Sequence, residues 1–106
     1  MTQFTILLDE YGFLKDHTQW SADIADAFAK EENITLTNAH WQVINFLREY
    51  YEIHTTAPAI RLLVKSLKEK YGHEIGNSLY LQTLFPISPA RQAAKIAGLP
   101  KPKRCI

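Results

Sequence analysis

Apolar positions along this chain fall into stretches of helical spacing, preceded by a pair of short apolar runs. Residues 4–14 read Phe-Thr-Ile-Leu-Leu-Asp-Glu-Tyr-Gly-Phe-Leu, two runs flanking Asp9-Glu10-Tyr11-Gly12. The pattern predicts a small β-hairpin, with Gly12 supplying a positive φ. A lone hairpin is marginal in water and has to pack on something else. Ser21 is a natural N-cap, with Asp23 in the first turn, where the helix dipole favours it. Ile24, Ala27 and Phe28 then share one face, Trp20 is placed to staple against it, and the helix should end near Glu32-Asn33. Thr37 caps a second helix over residues 38–53, where Trp41, Ile44, Leu47 and Tyr51 form a stripe widened by Val43, Phe46 and Tyr50. A helix apolar over so much of its circumference is expected at the centre.

Thr55-Thr56-Ala57-Pro58 breaks the chain and opens a third helix, with Pro58 near the first turn, a buried stripe of Ile60, Leu63, Val64 and Leu67, and a stop at Tyr71-Gly72. A fourth, short helix spans 76–84 and ends at Pro86. A fifth spans 89–97, with Gly98 as its C′ residue. After Gly98 the chain reads Leu-Pro-Lys-Pro-Lys-Arg-Cys-Ile. Two prolines favour an extended backbone, so residues 99–106 are expected to form a mobile arm outside the core. At about 3.1 Å per residue it would reach roughly 25 Å. On this reading, deleting residues 99–106 leaves thermal stability nearly unchanged. The fold class is mainly α (α+β): a small bundle of about five helices with an N-terminal hairpin, a compact domain over 1–98 and the arm over 99–106.

Composition sets limits. With 106 residues, 46% hydrophobic and 22% charged, the chain suits one ordinary globular domain with a modest core. One cysteine excludes an internal disulfide framework and any zinc cluster built on cysteines. No apolar run approaches the roughly 20 residues that span a bilayer. The first residues, Met-Thr-Gln-Phe-Thr, have no basic n-region or cleavage pattern, so a cytoplasmic protein without a membrane partner is expected. The four histidines are not spaced for a metal site, and neither a metal nor an organic cofactor is called for.

Charge changes the picture more. Residues 1–90 hold seven Lys and Arg against eleven Asp and Glu, a net −4. Residues 91–106 hold Arg91, Lys95, Lys101, Lys103 and Arg104 and no acid, a net +5. The only cysteine, Cys105, lies within this basic stretch. Neighbouring cations favour the thiolate, the nucleophilic form, and an exposed arm screens the effect. Cys105 is therefore the candidate catalytic residue, with Lys101, Lys103, Arg104, Arg91 and Lys95 as its environment for partner contact. A thiol on a long arm suits a carrier that collects a group at one protein and delivers it at another. An autonomous cysteine hydrolase would need a histidine base that the sequence does not place. Residues 59–70, with Arg61, Lys65, Lys68 and Lys70 against Glu69, offer a net +3 face for nucleic acid, although such faces are commonly only solvated.

Several stretches also resemble the DsrC/TusE family of sulfur-carrier proteins. They are Asp9-Glu10-Tyr11-Gly12-Phe13-Leu14, Leu36-Thr37-Asn38-Ala39-His40-Trp41, Phe46-Leu47-Arg48-Glu49-Tyr50-Tyr51, Ala57-Pro58-Ala59-Ile60-Arg61 and Gly76-Asn77-Ser78 through Leu84-Phe85-Pro86. The most specific is Gln92-Ala93-Ala94-Lys95-Ile96-Ala97-Gly98-Leu99-Pro100-Lys101-Pro102 with the penultimate Cys105. The resemblance implies a helical bundle with a mobile C-terminal arm and a persulfide carried on Cys105. Members that act with dissimilatory sulfite reductase have a second arm cysteine eleven positions earlier, where this chain has Ala94. The chain is thus similar to the single-cysteine, TusE-like branch. That branch implies a sulfurtransferase with sulfur donated by a TusBCD-like complex, and a monomer is expected when the chain is alone. The sulfur would pass to an MnmA-like thiouridylase bound to tRNA, for 2-thiolation of the wobble uridine. The alternatives that stay open are a carrier in sulfur oxidation and a non-catalytic binding or regulatory subunit touching nucleic acid through residues 59–70.

Overall fold

A computed structural model describes residues 7–102. A 3-10 turn, His17–Gln19, precedes five helices: α1 (Ala22–Glu31), α2 (Asn38–His54), α3 (Ile60–Tyr71), α4 (Ser78–Leu84) and α5 (Pro89–Ile96). The expected hairpin is reduced, among the described residues, to one antiparallel bridge between Leu8 and Leu14. Its turn is closed by the Asp9 carboxylate, which accepts from the backbone N–H groups of Tyr11 and Phe13, while Gly12 takes a φ of 83°. Residues 4–6 of the expected hairpin lie outside the described residues. Phe13 and Leu14 carry the turn into the core, which is how so short a ribbon is stabilised.

The helix starts follow local chemistry. The Ser21 Oγ accepts from the Ile24 N–H, and the Asn77 side chain accepts from those of Leu79 and Tyr80. At α2 the reciprocal partner of Thr37 is a histidine. The His40 Nδ1 accepts from the Thr37 N–H at 3.1 Å, which leaves Nε2 as the protonated nitrogen, donating to the Leu84 carbonyl at 2.8 Å. His40 is buried with both nitrogens engaged, and it ties the start of α2 to the end of α4.

The centre of the bundle differs from expectation. α5, eight residues long and rich in alanine, packs against each of the other four helices, and Ala90, Gln92, Ala93, Ala94 and Ile96 are buried on it. Small side chains let neighbouring helices close in around a short rod, whereas the large side chains of α2 cover one side of it. Hydrophobic breadth along α2 reported burial correctly and centrality incorrectly.

The C-terminus of α5 is fully accounted for. A helix leaves its last four carbonyls without helical partners. The Ala94 carbonyl accepts from the Leu99 N–H and the Lys95 carbonyl from the Gly98 N–H, the two bonds of a Schellman motif. The Ile96 carbonyl accepts from the Trp20 indole N–H at 2.8 Å, and the Ala97 carbonyl from the Arg48 guanidinium at 2.8 Å. Arg48 also donates to the His17 carbonyl and lies 4.2 Å from the centre of the Trp20 ring, which meets Trp41 edge-on. Burial pushes the Arg48 pKa down and Glu52 opposes the shift, but the group stays a cation at neutral pH.

Gly98 is required twice at this point. Its φ is 75°, and a Cβ there would overlap the Trp20 ring. The motif also changes the expectation for the residues that follow. Leu99 is fully buried and Pro102 is among the fully buried side chains, so packing continues past Gly98 at least to Pro102. Deleting residues 99–106 would remove both from the core, and the expectation of unchanged stability is corrected accordingly. A Gly98→Ala substitution should lower the free energy of unfolding by about 1–3 kcal/mol. Urea denaturation measures it, and a midpoint equal to that of the wild type would refute this account of the helix end.

Candidate functional site

The basic side chains singled out in the sequence fall in two groups. Cys105, Lys103 and Arg104 lie outside the described residues. Arg91, Lys95 and Lys101 come together beside the hairpin. Arg91 and Lys95, on successive turns of α5, line a cavity of about 480 Å³ together with Tyr11, Phe13, Glu32, Ile87, Ser88 and Gln92. The Lys101 Nζ rests 3.8 Å from the centre of the Tyr11 ring, so the chain beyond Leu99 passes the lip of the same cavity.

The floor of the cavity is a closed polar network. The Gln92 Oε1 accepts from the Ile87 and Ser88 N–H groups, which satisfies two backbone donors just before α5. Its Nε2 donates to Glu32 at 3.0 Å, and Lys95 reaches the other Glu32 oxygen at 3.2 Å and Glu31 at 3.3 Å. The Lys95 side chain is only 16% exposed, so two carboxylates balance its charge within the body. It works as a latch between α5 and the end of α1 more than as an open cation. Arg91 differs: it is exposed, lies 5.8 Å from the centre of the Phe13 ring, and has no ion pair among the described residues.

Burial pushes the Glu32 carboxyl up, but hydrogen bonds from Gln92 and Lys95 and the charges of Lys95 and Arg91 outweigh it, and the net direction is down. Among the described residues no group of three His, Asp or Glu side chains is arranged to hold a metal ion. On α3, Arg61, Lys65 and Lys68 are exposed without ion pairs among the described residues, while Lys70 is paired with Glu49 at 2.8 Å.

Two features escaped sequence reasoning. Gln92 and Glu32 were not expected to meet; the signal available was a glutamine four residues after the Ser88 cap, close to capping-box spacing. Arg48 was read only as a charge. Yet it stands four residues from Ile44 and seven from Trp41, on the buried stripe of α2, where a cation needs a partner. The direction of the Glu32 shift sets a pH dependence. A carboxyl held low contributes stability above its unfolded value, about pH 4.3, and loses it as the pH falls through the lower folded value. The thermal midpoint of the wild type should therefore fall more steeply under acidification below about pH 4.5 than that of Glu32→Gln. Parallel profiles would show that Glu32 carries no such linkage.

Comparison with known proteins places this geometry. The family model described as "DsrC like protein" matches residues 1–106. The chain is 54% identical over 102 residues to a protein of Pectobacterium atrosepticum named Sulfurtransferase TusE, covering 96% of this chain and 94% of the relative. It is 57% identical over 98 residues to a protein of the same name from Photorhabdus laumondii, covering 92% and 88%. Among solved structures, Allochromatium vinosum DsrC aligns with a TM-score of 0.85 at 50% identity, covering 95% of this chain and 90% of that one. The oxidised gamma-subunit of dissimilatory sulfite reductase (DsrC) from Archaeoglobus fulgidus aligns at 0.79 and 42% identity, covering 95% and 92%. With its whole length matched and its helical body shared with those structures, the chain belongs to the DsrC-like family.

Proposed function

We propose that this protein is a sulfurtransferase of the relay type, carrying sulfur as a persulfide on Cys105. The observation that carries the reading is identity above 50% to relatives named Sulfurtransferase TusE over nearly the whole chain. Cys105 is the only cysteine in the sequence. The chemistry is thiol exchange. The Cys105 thiolate attacks the terminal sulfur of a donor persulfide, a new S–S bond forms on Cys105, the donor S–S bond breaks, and the donor leaves as a thiolate. The same exchange in reverse sense delivers the sulfur to an acceptor thiolate. Neither step needs an external oxidant or reductant.

The donor in this reading is a TusBCD-like complex and the acceptor an MnmA-like thiouridylase bound to tRNA, in the cytoplasm. No helix among the described residues is long and apolar enough to cross a membrane. Lys101, Lys103, Arg104 and Arg91 would steer the thiol toward acidic or phosphate-bearing partner surfaces. Intact mass tests the carrier. The reduced protein mixed with cysteine, a cysteine desulfurase and candidate relay proteins should gain one sulfur, and Cys105→Ser should gain none. Sulfur on the variant would sink the assignment.

One observation favours a second role beside this one. Arg61, Lys65 and Lys68 lie along one stripe of α3 at spacings of four and three residues, exposed and unpaired among the described residues. Such a stripe suits a run of phosphates. Binding of tRNA through it should show a slope of log affinity against log salt of about −2 to −3 and lose most of that slope when Arg61 and Lys65 are reversed in charge. Equal slopes for both proteins would leave α3 a solvated face.

A further inference from the structure

We propose that the groove between α2 and α3 binds one unpaired nucleotide of a single-stranded RNA, its base among the rings of the groove and its phosphate on Lys65. The inference rests on the reading of the α3 stripe above and adds a site for a base beside the row of cations.

The groove has a volume of about 390 Å³, within the range of small-ligand sites. Rings follow one another along its α2 wall. The Tyr50 and His54 rings lean on one another with centres 4.2 Å apart, Phe46 lies 6.3 Å from Tyr50, and Tyr71 meets Phe46 edge-on. At the Phe46 end, Lys70 reaches from α3 to Glu49 at 2.8 Å and lies 5.7 Å from the centre of the Phe46 ring, which closes the groove there. The other end is open. His54 is exposed, and Ile53 beside it is 76% exposed, an apolar side chain left in water. Such a row suits a flat ring, because every base presents a π face on which aromatic side chains stack.

Charge selects the occupant. Lys65 and Glu69 stand one turn apart on α3, the spacing at which Lys and Glu meet, yet neither forms an ion pair among the described residues. Glu69 lines the groove, and Lys65 lies just outside it with Arg61 and Lys68 on the same stripe. A matching occupant carries an anion outside, N–H donors inside and a flat ring between the walls. An apolar side chain alone would leave both charges unmatched, and a cationic one would meet the repulsion of the stripe. A nucleotide supplies all three groups in one unit: phosphate, ring and exocyclic amine. In a duplex the pairing partner covers the ring and its amine, so the fit is to an unpaired base. Ser66, on the groove wall next to Lys65, offers its hydroxyl where the ribose would lie, and the 2′-hydroxyl is the group that marks RNA.

Amide NMR titration of the full chain with short oligonucleotides of equal length tests the site. Oligocytidylate RNA should shift the signals of Tyr50, Ile53, His54 and Ser66. It should bind about tenfold more tightly than oligouridylate, because a carboxylate accepts from the cytosine amine and is repelled by the oxygen that uracil has in its place. Glu69→Ala should erase that preference. Lys65→Ala should keep the preference and reduce the slope of log affinity against log salt by about 0.7. His54→Ala, at an exposed position, should weaken binding by about fivefold or more. Equal affinity for the two RNAs, with shifts confined to Arg61, Lys65 and Lys68, would overturn this inference and leave the stripe reading standing. Equal affinity for the duplex of oligocytidylate with oligoguanylate would also overturn it, and equal affinity for oligodeoxycytidylate would overturn the assignment to RNA. Groove signals that move on tenfold dilution without RNA would make the occupant a second copy of the chain. No binding of any oligonucleotide would overturn the stripe reading and this inference together.

Discussion

The arrangement depends on satisfying four carbonyls at the end of α5. Two of them take backbone N–H groups from Gly98 and Leu99, and two take side-chain donors from Trp20 and Arg48, which come from different parts of the chain. A helix end inside a core needs every acceptor engaged, because an unpaired buried carbonyl costs as much as a lost hydrogen bond. The solution links the segment before α1, the middle of α2 and the end of α5 in one contact. It also fixes the direction in which the chain leaves the body. Gly98 turns it, Leu99 is buried, and Lys101 lands on Tyr11.

The same geometry divides the basic residues into those that hold the fold and those that face outward. Arg48 is occupied by carbonyls and the Trp20 ring, and Lys95 by Glu31 and Glu32. Lys95 contributes little field at the surface, since two carboxylates offset its charge and salt screens what is left beyond about 8–10 Å. Arg91, and Arg61, Lys65 and Lys68 on α3, are exposed cations that form no ion pair among the described residues. The net +5 of residues 91–106 thus overstates what a partner meets on the body, because Lys95 is already neutralised.

Much of the helical frame was legible. Ser21, Thr37 and Gly72 stand at the boundaries that their cap and stop chemistry dictates, Pro58 falls just ahead of the α3 N-cap Ala59 and not within the first turn, and the stripe of Leu63 and Leu67 is buried as its spacing requires. What was not legible came from pairings distant in sequence. Trp20 meets Ile96 across 76 residues and Arg48 meets Ala97 across 49, and no local pattern specifies such partners. The burial of Leu99 was written in the sequence and passed over. A C′ glycine implies an apolar C″ residue packed back on the helix, but the prolines at 100 and 102 were read as the start of an extended arm. Charge clustering grouped Arg91, Lys95 and Lys101, which the structure brings together beside the hairpin. Their unequal roles were not legible, because pairing with Glu31 and Glu32 depends on how α1 meets α5.

Ala94 connects the fold to the chemistry proposed for Cys105. It is fully buried, its carbonyl takes the Leu99 N–H, and its side chain stands at the helix position that packs against the residue after the Schellman glycine. This chain uses the position for packing, and the sequence holds no other cysteine with which Cys105 could form an internal disulfide. A sulfur carried on Cys105 therefore has no resolving thiol within the same molecule. It leaves only when a thiolate or another nucleophile of a partner reaches it, so direction of transfer is decided by which partner holds the segment. On the proposed reading, the selectivity of such a carrier rests on which partner it meets and not on any reactivity intrinsic to the thiol.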